Sequence, residues 1–376
     1  LRKDMKKKMI ARKILTVALT ASMMVSLIAC GGTETESNTQ ENRKAASEIV
    51  EDNQSDSSEK PNEEVKESTK RTEYPLTITT YGSDGREIKT IYEKVPEKVL
   101  AVYQGSIETL LALGLEDRIV AAAGLDNEVP DEQKAAFSSL EYLDEFTPSL
   151  ETVTMLEPDM IFSWGSLFGE KTLGDAAGWI KKGCNVYMNS NTRPKDGETV
   201  YNRTLENEYT DILNIGKIFD VQDQAEAIVN EMKETISSVK EETADEKEKP
   251  SVLILESGKS GFSNYGKTTL GGDMVTQLGG VLANPTGSTL GKEDVITANP
   301  DVIFVVYMPY SGDDPEKVKQ EKLNRILEDE SLASLDAVKK GRVVPVMLSE
   351  MYASATRTQD GILNFAKGLY PNLELE

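Results

Sequence analysis

The 376-residue chain contains no histidine and only two cysteines. Without an imidazole, neither a Ser-His-Asp nor a Cys-His nucleophilic site can be assembled, and the commonest ligand of transition metals is missing. Positive charge is scarce as well: 42 Lys and Arg face 64 Asp and Glu, a formal net charge of −22. A protein that grips nucleic acid through its phosphates needs basic patches, so that class is set aside. The uncharged run "ILTVALTASMMVSLIA" from Ile14 to Ala29 has sixteen residues, fewer than the roughly twenty that a bilayer-spanning helix requires.

That run follows a basic start, "LRKDMKKKMIARK", the order expected of a secretory targeting segment over residues 1–29. It ends in Leu27-Ile28-Ala29-Cys30-Gly31, which resembles the lipobox of bacterial lipoproteins. The resemblance implies cleavage before Cys30 and a lipid, such as palmitate, carried on its sulfur. Cys184 is then the one remaining thiol, and no internal disulfide is expected. Residues 31–72 hold five aliphatic residues in 42 and no aromatic. Such a segment buries too little apolar surface to offset its ordering entropy. With Cys30 it reads as a disordered tether, 30–72, holding the body roughly 36 Å from its anchor.

From Lys98 onward, short apolar runs alternate with helical periodicity. Strands are expected at 98–102, 118–123, 160–164, 185–188, 252–256, 302–307 and 342–348. Most are continuous rather than alternating, as suits parallel strands covered by helices on both faces. The pattern predicts an α/β fold with doubly wound sheets. An antiparallel start is expected in "YPLTITTYGSDGREIKTIYE", where Asp84-Gly85 is a hairpin-turn signal. Between the two groups of strands, Ala225, Ile228, Val229, Met232, Ile236 and Val239 recur at three and four. That stripe predicts a helix from 221 to about 243, roughly 35 Å long, a length suited to joining two lobes.

The chain also repeats itself. "SLETVTMLEPDMIFSW" (149–164) and "GKEDVITANPDVIFVV" (291–306) coincide at six of sixteen positions when offset by 142 residues. These are Glu151/Glu293, Val153/Val295, Pro158/Pro300, Asp159/Asp301, Ile161/Ile303 and Phe162/Phe304. Each copy reads as a helix whose first turn carries a glutamate, favoured there by the dipole, followed by proline, aspartate and a buried strand. With one copy on each side of the long helix, the body divides into lobes at 73–220 and 250–376, joined by a bridge at 221–249.

The repeated unit, the long helix, the lipobox with its tether, and "EKVLAVYQGSIETLLALGLEDRIVAAAG" (97–124) together resemble the class III substrate-binding lipoproteins of ABC importers. The resemblance covers roughly residues 90–376. It implies a monomer, lipid-anchored at the outer face of the cell membrane, that binds an iron chelate between its lobes and delivers it to an ABC permease with its ATPase. A ferric siderophore is the expected ligand. Haem or cobalamin are alternatives within the family, and a non-transport surface lipoprotein using the same scaffold is an alternative outside it. The family's docking glutamates, one per lobe, correspond to Glu151 and Glu293. No catalytic residue, cofactor or direct metal ligand is implied.

Two motifs compete with that reading. "GFSNYGKT" (261–268) matches the P-loop pattern, but Phe262 and Tyr265 crowd a loop that must lie against phosphate. "GKSG" (258–261) approaches a nucleophile elbow, yet no histidine is available as base. In doubly wound sheets, ligands bind beyond the carboxyl ends of strands. The residues there are Tyr103, Gln104 and Ser106; Leu125 and Asp126; Trp164, Ser166 and Phe168; Asn189, Asn191 and Arg193; Phe262 and Tyr265; Tyr307 and Tyr310; Tyr352 and Arg357. Aromatic faces suit a large flat or chelated solute, and the arginines suit its anionic oxygens. Arg193, Arg357 and nearby lysines are expected to make a local positive site in an acidic protein.

Overall fold

The computed structural model describes residues 71–375 apart from 198, 200 and 260. The expected signal segment, Cys30 and the tether as far as residue 70 lie outside the described residues. The first elements, β1 (Leu76–Tyr81) and β2 (Glu87–Tyr92), pair antiparallel around the expected turn. Gly85 sits there at φ 78, a conformation that glycine adopts without a side-chain penalty.

Next come β3 (Val99–Val102), α1 (Gln104–Ala112), β4 (Ile119–Ala123), α2 (Lys134–Phe137), α3 (Leu150–Leu156), β5 (Met160–Ser163), α4 (Ala176–Lys181) and β6 (Asn185–Met188). Strands β3 to β6 form a wholly parallel sheet in the order β4-β3-β5-β6. After α5 (Leu205–Phe219) and α6 (Gln222–Glu242), the second lobe begins with β7 (Ser251–Ser257), β8 (Phe262–Asn264), α7 (Leu270–Gln277), β9 (Val281–Leu282) and β10 (Thr289–Leu290). It continues with α8 (Lys292–Ala298), β11 (Val302–Tyr307), α9 (Pro315–Leu327), α10 (Asp336–Lys339), β12 (Val343–Met347), α11 (Leu348–Met351) and α12 (Thr358–Leu369). Its sheet runs β10-β8-β7-β11-β12, with β9 added to β7. Here β7, β11 and β12 are parallel, and β8 is antiparallel to β7. Pro345 lies in β12, at the sheet's edge, where a strand tolerates its missing N–H.

The apolar runs are continuous because both faces of each sheet are covered. Val99, Ala101 and Phe162 face one core, while Leu100, Val102 and Ile161 face another on the opposite side of the sheet. In the second lobe, Val252, Ile254 and Phe304 belong to the same core as Val99, and Leu253, Leu255 and Ile303 face a third. One core therefore serves both lobes. Helix α6, about 32 Å long by its 21 residues, runs through it. Ala225, Val229, Met232, Ile236 and Val239 are buried, and Ile228 is partly so. The helix packs along α5 and α12, so it is an embedded element and not the free-standing strut its length alone would allow.

The coincidences of the repeat each have a structural job. Val153 and Val295 are fully buried beneath their helices, as are Ile161, Phe162, Ile303 and Phe304 in the strands. Each helix closes on a left-handed residue, Glu157 at φ 48 or Asn299 at φ 37, immediately before the proline. The aspartates then fasten the neighbouring strand. Asp159 accepts from the backbone N–H of Glu97 (2.8 Å) and Lys98 (3.0 Å), at the entry to β3. Asp301 accepts from the N–H (2.9 Å) and hydroxyl (2.7 Å) of Ser251, at the start of β7.

Those Ser251 bonds hold the Asp301 carboxyl below its ordinary range. Its stabilising contribution is therefore present at neutral pH and disappears as pH falls through that lowered value. Asp301→Asn is expected to lower the unfolding free energy by about 1–3 kcal/mol at pH 7. In urea titrations the difference from the parent should shrink at acid pH.

Candidate functional site

The chain leaves β3 through α1 toward β4, and leaves β5 through α4 toward β6, on opposite sides of the sheet. A crevice opens where the strand order reverses in this way. Tyr103 and Gln104 follow β3, and Trp164 follows β5. The second lobe brings Met308 from the end of β11 and Leu348 to Ser354 from the end of β12. Between them lies a cavity of about 90 Å³, walled by Tyr103, Gln104, Glu108, Asp126 and Trp164 on one side and Met308, Leu348 and Tyr352 on the other.

The walls are aromatic. Tyr103 lies with its ring centroid 4.0 Å from that of Trp164 and 5.9 Å, edge-on, from that of Phe146. Trp164 is 5.9 Å from Tyr352, which is 6.4 Å from Tyr265. The guanidinium of Arg203 lies 3.6 Å from the Tyr352 ring centroid, a cation–π contact. Near the crevice, a tyrosine hydroxyl from each lobe donates to a carboxylate: Tyr103 to Asp126, and Tyr265 to Glu256 at 2.7 Å. Burial and these carboxylates push both phenols well above their ordinary range, so they remain protonated donors. Tyr103 adopts φ 82 and ψ 154, a region that costs a non-glycine residue about 1–3 kcal/mol and recurs at functional sites. The indole N–H of Trp164 is buried with no hydrogen-bond partner among the described residues.

Not every residue nominated from strand ends reaches this cavity. Ser106 is fully buried and donates to Asn189 within the first lobe (3.3 Å). Phe168 is buried in the first lobe's outer core beside Leu173 and Trp179, because the turn Gly165–Leu167 sends the chain back over the sheet. Phe262 is likewise a core residue of the second lobe; along β8 it alternates with exposed Ser263. Asn191 donates to the Thr204 carbonyl and to Glu208, and accepts from the Thr204 N–H, which ties it to the start of α5. Arg193 is stacked 4.3 Å from the Tyr81 ring and 3.7 Å from the Tyr201 ring, and its Nε donates to the Gly85 carbonyl. Tyr307 is half-buried at the end of β11, and Tyr310 stands 56% exposed beyond it. Arg357 is buried and paired with Glu108, so it is not a free charge in the cleft. Asp126, a strand-end candidate of the first lobe, lines the cavity. Arg203, Glu108 and Met308 are not among the strand-end candidates: Arg203 follows no predicted strand, and Glu108 lies in the interior of α1.

Behind the cleft, α5 carries two buried acids one turn apart. Glu208 accepts from Asn191 (2.5 Å) and from the Ala355 N–H of the second lobe (2.7 Å). Asp211 accepts from the hydroxyls of Tyr187 and Ser190 and from the Ser190 N–H. Burial, reinforced by Glu208, pushes the Asp211 carboxyl up to about 7. Glu151 and Glu293 are both exposed, in the first turns of α3 and α8. The P-loop-like stretch is occupied by β8, and α7 starts beyond it with Thr269 as its N-cap; no phosphate cradle forms there.

Two α/β lobes closing on an aromatic crevice have the architecture of a two-lobed solute-binding protein. The sequence pattern of the periplasmic binding protein family matches residues 99–346, and the chain belongs to that family. This agrees with the resemblance to class III substrate-binding proteins; the protein binds and does not catalyse. The petrobactin-binding protein YclQ of Bacillus subtilis is 25% identical over 271 residues, 69% of this chain and 78% of that one. YvrC of the same species, described as an ABC transporter substrate-binding lipoprotein, is 25% identical over 304 residues, 80% of this chain and 87% of its own. A periplasmic binding protein from Veillonella parvula superposes with a TM-score of 0.72 at 30% identity, covering 80% of this chain and 93% of that one.

Because Asp211 binds its proton more tightly when folded, it favours folding at low pH, and that contribution is lost as pH rises from about 4 toward about 7. Thermal unfolding followed by circular dichroism should show stability declining across this window. Asp211→Asn should flatten the decline.

Proposed function

We propose that this protein captures a ferric siderophore outside the membrane and hands it to an ABC permease, without making or breaking a bond. The observation that carries the reading is the inter-lobe crevice, lined by Tyr103 and Trp164 of the first lobe and Tyr352 of the second, with Tyr265 packed edge-on against Tyr352. Such an aromatic lining suits a large chelate whose ligand is itself aromatic or flat. The petrobactin-binding relative supports an iron chelate as cargo. Iron stays inside its chelator, so no direct protein ligand to the metal is required. The lipobox at Cys30 and the lipoprotein relative support anchoring at the outer face of the cell membrane. Among the described residues no helix is long and apolar enough to cross a membrane.

Glu151 and Glu293 present one carboxylate per lobe, at equivalent places in the repeat, to permease arginines. Energy for transport comes from the partner ATPase. The protein works as a monomer, its two lobes together offering the two-point grip that a two-subunit permease needs.

The chain has two tryptophans. Trp164 lines the cavity and Trp179 is in the outer core. Ferric petrobactin should quench the emission with a Kd below about 1 μM, and Trp164→Phe should remove the response. Quenching by haem or cobalamin alone would move the cargo to those ligands, and no response to any of the three would favour the scaffold alternative. Replacing both Glu151 and Glu293 by alanine should abolish iron uptake by cells while chelate affinity stays unchanged. Lost affinity, or normal uptake, would remove the docking role.

A further inference from the structure

A cavity of about 90 Å³ is far below the roughly 300–1,000 Å³ of sites that hold drug-sized solutes. The lobes must separate before a chelate enters, and the polar contacts that oppose separation concentrate on one segment of the second lobe. Arg357 reaches into the first lobe with a bidentate pair onto Glu108, Nε to Oε2 at 2.8 Å and Nη2 to Oε1 at 2.5 Å. Its Nη2 also donates to the Glu128 carbonyl at 2.6 Å. The Glu108 side chain is fully buried and that of Arg357 is 10% exposed. Two residues earlier, the Ala355 N–H donates to Glu208 at 2.7 Å. Ala355 holds φ 50, a left-handed conformation that disfavours a side chain and persists only where surroundings enforce it.

Gly105 explains how the segment comes so close. A Cβ at that position would stand 3.3 Å from the Ala355 Cβ and 3.4 Å from the Ala353 carbonyl, so the missing side chain lets the second lobe rest directly on α1. The tie also has a defined place relative to the walls. Glu108 lies on α1, whose N-cap is Tyr103, and Arg357 follows Tyr352 by five residues. Outside the shared apolar core, further polar contacts between the lobes include the Ser311 N–H on the Asp126 carbonyl at 2.8 Å, the Arg203 N–H on the Thr268 carbonyl at 3.1 Å and the Leu205 N–H on Asp273 at 2.8 Å. A fork-on-carboxylate pair tolerates little stretch, because parting it leaves two buried charges unmatched.

We infer that Glu108 and Arg357 are positioning residues: their pair, seated by Gly105, sets the separation of the two aromatic walls and thereby the size of chelate the cleft admits. The size-selecting role rests on the solute-binding reading above, whereas the wall spacing does not.

Spin labels at Asp144→Cys and Glu321→Cys, in the full chain with Cys30→Ala and Cys184→Ala, report the inter-lobe distance by double electron–electron resonance without any cargo. The parent should give one narrow distribution. Glu108→Gln, which removes the charge, and Gly105→Val, which wedges the contact and leaves every charge in place, should both shift it to a longer mean. Ferric petrobactin should leave both variants at least about tenfold faster than the parent, since affinity changes in related complexes fall mainly on the off-rate. Unchanged distances in folded Gly105→Val protein would overturn the inference, whether or not Glu108→Gln folds. Longer distances with no petrobactin binding in any form, the parent included, would keep the tie and remove the cargo.

Discussion

Met232 and Val239 on α6, Ile212 and Ile215 on α5, and Phe365 and Ala366 on α12 pack into an apolar core that begins at Val99 and Phe162 and ends at Ile254 and Phe304. It is shared by both sheets and constrains everything that the lobes do. Apolar burial is non-directional and worth about 25 cal/mol per Å², so the lobes cannot drift apart without exposing surface along the whole length of α6. Motion that preserves this core is restricted to small sliding and rotation of packed helices. A binding protein built this way has the range of its lobe movement limited by the back of the molecule, far from the solute.

The cleft itself is held by polar contacts of another kind. Arg357, which the acidic composition made an attractive partner for an anionic chelate, is neutralised by Glu108 across the lobe boundary. Arg193 is sandwiched between Tyr81 and Tyr201 and fixed to the Gly85 carbonyl. Among the described residues, the guanidinium of Arg203 lies over the Tyr352 ring. The cavity lining combines the rings of Tyr103, Trp164 and Tyr352 with the carboxylates of Glu108 and Asp126 and holds no arginine or lysine among the described residues. Such a surface gains from contact area and shape more than from long-range attraction.

The two copies of the repeat unite these levels. The buried valine, the left-handed helix end, the proline and the aspartate are local devices that start β5 and β11, and each aspartate also secures the adjacent strand, β3 or β7. With strand positions secured in both lobes, the chain ends that carry Tyr103, Trp164, Met308 and Tyr352 emerge facing one crevice. The helices that open the copies leave Glu151 and Glu293 in water. A single motif thus serves the interior at one end and the surface at the other.

The amino-acid sequence by itself determined the principal strands and the long helix, though not the short strands β8, β9 and β10. β6 and β11 fall where their apolar runs predict, α6 runs within a residue of its expected ends, and Asp84-Gly85 marks the hairpin turn. These are local properties: side-chain periods of 2 and 3.6, turn chemistry and helix termination act over a few residues. Tertiary structure alone decided which strand-end residues became site and which became scaffold. Phe168 and Phe262 carry the same aromatic signal as Trp164 and Tyr265, but a turn in one case and the alternation of β8 in the other direct them into outer cores. Asn191 is consumed by the start of α5, and the partner of Arg357 lies 249 residues away. The facing of a side chain, and the identity of its charge partner, depend on which segments the fold brings together, and no window along the chain contains that information.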